Sequence, residues 1–222
     1  ALLRWRGDRA GNVPPNDFIE WLEKDPLFYD LGNWIIRQAL IDSIPLIEEN
    51  PDFVVNINIA YTQLQREDFN EDLLRIMEEC SVAPRNVRLE LTERCKLLDP
   101  EFLKQEMQFI KEQGMQVSLD DFATGYSAMN LLFDMPVDQI KIDRTFLLSI
   151  RKEKALQTLL KGITDCAREL SIRVCLEGVE DLETLEYVRD HFYCTSFQGY
   201  YYSKPLSIHD FMEWKEEFKN RD

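Results

Sequence analysis

The sequence predicts an α/β fold built on parallel strands, and three observations carry that expectation. Short runs of strand type recur at Phe53–Ile59, Val87–Thr92, Val117–Asp121, Gln139–Asp143, Ile172–Glu177 and Ser196–Tyr202. Between them lie stretches with helical apolar spacing, which gives the β, α, β, α order of a parallel sheet with helices outside. Within the strands one face is apolar and the other polar: Ile57 and Ile59 oppose Asn56 and Asn58, and Ile140 and Ile142 oppose Lys141 and Asp143. An open sheet covered on both sides would be apolar on both faces. A polar face at the C-terminal strand ends suits a (β/α)8 barrel, whose sites gather at that rim.

Taken in order, Ala1–Trp5 reads as the remnant of a strand that begins before Ala1. Arg6–Pro15 is a polar loop, and Pro14-Pro15-Asn16-Asp17 is a helix-start signal. Helical spacing runs through Phe18–Leu22 and Phe28–Ile47, interrupted near Asp25-Pro26. Further helices are expected at Phe69–Cys80, Asp99–Gln113, Ser127–Phe133, Glu153–Leu170, Asp181–His191 and Ser207–Phe218. Asp99-Pro100 supplies a cap and first turn, and Gly114 a stop. No linker or low-complexity tract interrupts the chain, so residues 1–222 read as one domain.

Composition narrows the function. A net charge of −15 argues against a basic groove for a nucleic acid polymer. An anionic small molecule would need metal ions or a few local Arg and Lys to reverse the field. Five Cys in odd number, with no C-x-x-C pair, read as reduced, mostly buried thiols of a cytoplasmic protein. Two His make a His-built zinc centre a poor expectation, and both read as surface residues. No apolar run reaches the length of a membrane span.

The strand ends carry Asn58, Glu90 with Glu93, Asp120 with Asp121, Lys141 with Asp143, Glu177 with Glu180, and Gln198. Each alone has a local explanation. Arg88 could neutralise Glu90, Asp143 could neutralise Lys141, and Glu180 could cap the next helix. Together they form a rim of hard oxygen donors around one lysine, which is costly without cations and suits Mg²⁺, Mn²⁺ or Ca²⁺. An enolase-like site, with carboxylates on Mg²⁺ and Lys141 as base, is one chemistry such a rim allows.

The ordered set resembles the EAL-type cyclic di-GMP phosphodiesterases over nearly the whole chain. Ala1-Leu-Leu-Arg-Trp5 is similar to the family signature after its leading glutamate, which this chain lacks and the natural protein is expected to have. Asn58-Ile-Ala-Tyr-Thr-Gln-Leu64, Glu90-Leu-Thr-Glu93, Asp120-Asp-Phe-Ala-Thr-Gly-Tyr-Ser127, Lys141-Ile-Asp-Arg144, Glu177-Gly-Val-Glu180 and Gln198-Gly-Tyr follow in family order. The resemblance implies a modified TIM barrel with one antiparallel strand. It also implies hydrolysis of cyclic di-GMP to linear pGpG with two Mg²⁺ or Mn²⁺ ions. Asn58, Glu90, Asp120 and Asp121 are then metal ligands, and Lys141 and Glu177 are catalytic. Leu2, Arg4, Asp143 and Gln198 would meet substrate, and Glu93 and Glu180 would support the loop after the Asp pair. A homodimer, an upstream sensory or GGDEF-type domain and a catalytically inactive cyclic di-GMP receptor also belong to what the resemblance implies. The chain departs from the pattern at Ala123, where glycine is usual, at Leu176 and at Ala128.

Overall fold

The computed structural model describes residues 1–7, 11–14, 17–123 and 132–219. The expected helix at Ser127–Phe133 falls largely outside these residues, as does Ala128. The chain forms two compact units, Ala1–Lys141 and Ile142–Asp222.

The first unit opens with a small antiparallel hairpin, β1 (Trp5–Gly7) and β2 (Gly11–Val13). The sequence reading has a loop there, because three-residue strands leave too short a pattern to detect. Helices α1 (Ile19–Leu22) and α2 (Phe28–Glu49) follow, broken at Asp25-Pro26 as expected. Next come β3 (Val55–Ile59), α3 (Tyr61–Leu64), α4 (Phe69–Cys80), β4 (Val87–Thr92), α5 (Pro100–Glu112), β5 (Gln116–Phe122) and β6 (Gln139–Ile142). The strands neighbour one another in the order β3, β4, β5, β6. Asp99 caps α5 by accepting the Phe102 N–H at 3.0 Å, and Gly114 at φ +90° lets the chain turn towards β5.

The parallel registers explain the two faces. Ile57, Leu89 and Val117 align, as do Ile59, Leu91 and Leu119, and all six are buried in the core of this unit. On the other face Asn56, Arg88 and Gln116 share one level, and Asn58, Glu90 and Ser118 the next, with Thr92 and Asp120 above. Strand alternation thus lifts the carboxylates towards the C-terminal ends while the aliphatic residues pack behind. Helices α2 and α4 are joined by Arg37 on Glu79 and by Tyr29 and Asn33 on Asp72.

The second unit contains α6 (Thr145–Leu148), α7 (Lys154–Glu169), β7 (Arg173–Glu177), α8 (Leu182–His191), β8 (Ser196–Gln198) and α9 (Ile208–Lys219). Strands β7 and β8 are parallel and place Glu177 opposite Gln198. Leu160, Ile163 and Ala167 form the buried stripe of α7. The strand expected over Ser196–Tyr202 stops at Gln198. Beyond it the Tyr201 N–H donates to Val179 O at 3.0 Å and the Tyr202 N–H to Gly199 O at 3.1 Å, so the chain turns. A Cβ at Gly199 would collide with the Val179 backbone, which is why glycine stands there. None of the five cysteines forms a disulfide, and three of them are buried. Both histidines are exposed, and among the described residues no helix is long and apolar enough to cross a membrane.

Candidate functional site

The first unit gathers most of the predicted rim. Glu90 and Lys141 are only 4% and 5% exposed, although both are charged. Lys141 Nζ stands 3.2 Å from Glu90 Oε1 and 3.1 Å from Asp120 Oδ1. The positive charge that two close carboxylates require is therefore present between Glu90 and Asp120 as an ammonium. This replaces the local alternative of a Lys141–Asp143 pair. Asp143 Oδ1 instead accepts from the backbone N–H and the hydroxyl of Thr145, at the start of α6. The Arg88–Glu90 alternative also gives way, because the Arg88 guanidinium is directed to Gln116, Gln139 and Asn56.

Asp120 and Asp121 present a puzzle in sequence, since alternation along a strand sends neighbours to opposite faces. Backbone geometry resolves it. Asp121 adopts φ +51°, a left-handed conformation that aspartate tolerates better than most residues. Its N–H donates to Asp120 Oδ1 at 3.1 Å, and carboxylate oxygens of the two residues come within 4.8 Å of each other. Ala123 is also left-handed, at φ +71°, with the buried Phe122 between them. The position where glycine was expected thus has a glycine conformation.

The start of the chain lies along β3. The Ala1 amine donates to Asn56 O, and Asn58 Nδ2 donates to Ala1 O at 3.3 Å. Leu2 and Arg4 are exposed, and Arg4 donates to Leu3 O at 2.9 Å. Glu93 begins a 3₁₀ turn, Glu93–Leu97, and its side chain lies outside the described residues.

The remaining predicted residues lie in the second unit. Glu177 ends β7, half-buried, and Gln198 ends β8, exposed. Gly178 at φ +74° and Val179 link them, the Val179 N–H donating to Gln198 O at 3.1 Å. Glu180 is exposed and does not cap α8; Asp181 does, accepting the Thr184 N–H at 2.7 Å. Tyr200 and Tyr201 are exposed in the turn after β8.

The donor set suits a hard divalent cation. Glu90 Oε1 is buried with the Lys141 ammonium at 3.2 Å, so this oxygen already serves as an anionic ligand to a cation. Asp120, Asp121 and the Asn58 amide add further oxygens on the same strand ends. The sequence reading did not single out Arg88 as part of the site. It has Arg88 only as a neutraliser of Glu90; an arginine on the polar face of the strand, two residues before a candidate ligand, was the available signal.

A model of the EAL domain family matches residues 1–205. The chain is 30% identical over 221 residues to cyclic di-GMP phosphodiesterase PdeR of Escherichia coli K12, covering 100% of this chain and 33% of that protein. It is 29% identical over 209 residues to cyclic di-GMP phosphodiesterase NbdA of Pseudomonas aeruginosa, covering 94% of this chain and 27% of NbdA. The chain thus spans about a third or less of these two relatives. Among solved structures, the EAL enzyme Bd1971 with cAMP and cyclic di-GMP bound superimposes at TM-score 0.89 and 31% identity, over 96% of this chain and 58% of that one. The PaMucR phosphodiesterase in complex with c-di-GMP superimposes at TM-score 0.88 and 25% identity, over 95% of this chain and 85% of that one. With the ordered motifs, the parallel strands and a family match that takes in every rim residue, the chain belongs to the EAL domain family.

Proposed function

We propose that this domain hydrolyses one phosphodiester bond of cyclic di-GMP to give linear pGpG, using two Mg²⁺ or Mn²⁺ ions. The observation that carries the reading is the buried Glu90–Lys141–Asp120 cluster at the strand ends of an EAL-family chain. Relatives named as cyclic di-GMP phosphodiesterases support the substrate. In this reading the domain is a modified (β/α)8 barrel with one antiparallel strand, continuing upstream to the signature glutamate. The whole protein would be cytoplasmic or tethered through another domain, homodimeric, and joined to a sensory or GGDEF-type domain.

Asn58, Glu90 and Asp120 would hold one ion, and Asp120 with Asp121 the other, with Glu177 beside it. When bound, such a pair supplies positive charge at the scissile phosphate and lowers the pKa of the attacking water. Lys141 orients that water and keeps a fixed positive charge where the phosphorane becomes more anionic. Glu177 accepts the water proton as the oxygen attacks phosphorus. The P–O3′ bond then breaks, the leaving 3′ oxygen takes up a proton from solvent water to become a hydroxyl, and Glu177 releases the proton it accepted. Arg4 binds a non-bridging phosphate oxygen, Leu2, Asp143 and Gln198 contact the dinucleotide, and Glu93 and Glu180 brace the loop after Asp121.

The test is chromatographic detection of pGpG from cyclic di-GMP with Mg²⁺ or Mn²⁺, using protein extended upstream of Ala1. Asp120→Asn and Glu177→Gln should each lower turnover at least about a thousandfold, since each removes a group acting in the reaction. Cleavage by either variant at the parent rate would refute the assigned roles. Tight binding without any cleavage by the parent would recast the domain as a receptor.

A further inference from the structure

Directly beneath the acidic level lies a polar layer that the proposed reaction does not use. Strands β3, β4, β5 and β6 each give it one side chain: Asn56, Arg88, Gln116 and Gln139. Arg88 is 8% exposed and holds the layer together. Its Nε and Nη2 donate to Gln116 Oε1 at 3.0 and 2.6 Å. Its Nη1 donates to Gln139 Oε1 at 2.8 Å and to Asn56 Oδ1 at 3.3 Å. Two residues further along three of these strands stand Asn58, Glu90 and Lys141, about 7 Å higher on the same face.

A neutral amide could tie the strands equally well. An arginine adds a permanent charge, because guanidinium does not lose its proton in proteins. That charge attracts the Glu90 carboxylate above it and repels any divalent ion bound there. We propose that Arg88 is a positioning residue that sets the site's affinity for divalent metal from the layer below. Its hydrogen bonds tie the strands together in the layer beneath, its charge steadies the acidic level above, and that charge weakens cation binding so that the ion exchanges. This inference rests on the reading that Glu90, Asp120 and Asp121 bind divalent ions.

Two substitutions separate charge from scaffolding. Arg88→Gln removes the charge and some of the hydrogen bonds. Gln116→Glu keeps the clamp and neutralises the guanidinium, since a carboxylate accepts the same N–H groups more strongly. Titration of the folded chain with MnCl₂, followed by calorimetry, should show Mn²⁺ bound about tenfold or more tightly by both variants. A unit charge about 10 Å from a divalent ion in a partly screened interior is enough for that. Their melting temperatures in EDTA should move differently, falling for Arg88→Gln and holding or rising for Gln116→Glu. A scaffolding role alone would not tighten binding in both. If the parent binds Mn²⁺ and both variants bind it no more tightly, the inference is overturned while the metal reading stands. If Arg88→Gln does not fold, Gln116→Glu decides the matter alone. If neither parent nor variants bind Mn²⁺ at millimolar concentration, the metal reading falls and this inference with it.

Discussion

Lys141 Nζ lies 3.2 Å from Glu90 Oε1 across two strands that are not neighbours, and both side chains are buried. A buried ion pair of this kind is costly to break from one side, because the remaining charge keeps its desolvation penalty.

Lys141→Met should therefore destabilise the protein by about 3–5 kcal/mol in EDTA, measured by urea denaturation. Glu90→Gln added to it should cost much less than the sum of the single changes, because each substitution relieves the charge that the other strands. Additive effects would mean that the two side chains do not interact in solution.

Asp121 tests whether divalent ions bind at the strand ends. Added Mn²⁺ should raise the melting temperature of the parent in proportion to the logarithm of its concentration. Asp121→Asn should abolish most of that rise while leaving the melting temperature in EDTA near the parent value. An undiminished rise would place the ions elsewhere.

Backbone conformation gives a contrasting pair. Ala123 at φ +71° carries a Cβ where glycine is preferred, so Ala123→Gly should stabilise by up to about 1 kcal/mol, roughly 2–4 °C in Tm. Gly199→Ala should do the reverse, costing about 1–3 kcal/mol as Cβ meets the Val179 backbone. Thermal melts of both variants check this, and equal signs would contradict the local geometry.

Asp72 and Tyr29 set a pH dependence. Asp72 accepts from Tyr29 Oη at 2.9 Å, from Asn33 Nδ2 at 3.1 Å and from the Arg75 guanidinium. Chiefly Arg75 holds the Asp72 carboxyl below its ordinary value of 3.8. Its stabilisation is present above that pH and lost as pH falls through the lower folded value. Burial first, and then the bond to Asp72, pushes the Tyr29 phenol from 10.0 up to about 12. Its contribution is complete below pH 10 and lost between 10 and 12. Tyr29→Phe should cost about 1 kcal/mol at neutral pH and flatten that alkaline loss. Urea titrations from pH 9 to 12 measure it, and identical slopes in parent and variant would remove Tyr29 as the source.

Most of the fold was legible because its signals are local. The β4 and α4 limits read from the sequence recur unchanged, and α5, read as Asp99–Gln113, runs Pro100–Glu112 with Asp99 as the expected cap. The hairpin at Trp5–Val13 and the early end of β8 were not legible. The hairpin strands are too short to show a period, and β8 ends where Gly199 meets Val179, a contact 20 residues distant in sequence. The acidic rim residues could be named from their place at strand ends, but not their partners.

The sequence by itself determined the alternation of parallel strands and helices and the polar face on which Asn58, Glu90, Asp120 and Lys141 stand. Periodicity within a few residues is enough for that. Tertiary structure alone decided that Lys141 goes to Glu90 and Asp120 rather than Asp143, and that a left-handed Asp121 brings two neighbouring carboxylates together. It also directed Arg88 to amides on three other strands. Those partners are set by register between strands tens of residues apart, and by a backbone turn that no side-chain pattern encodes.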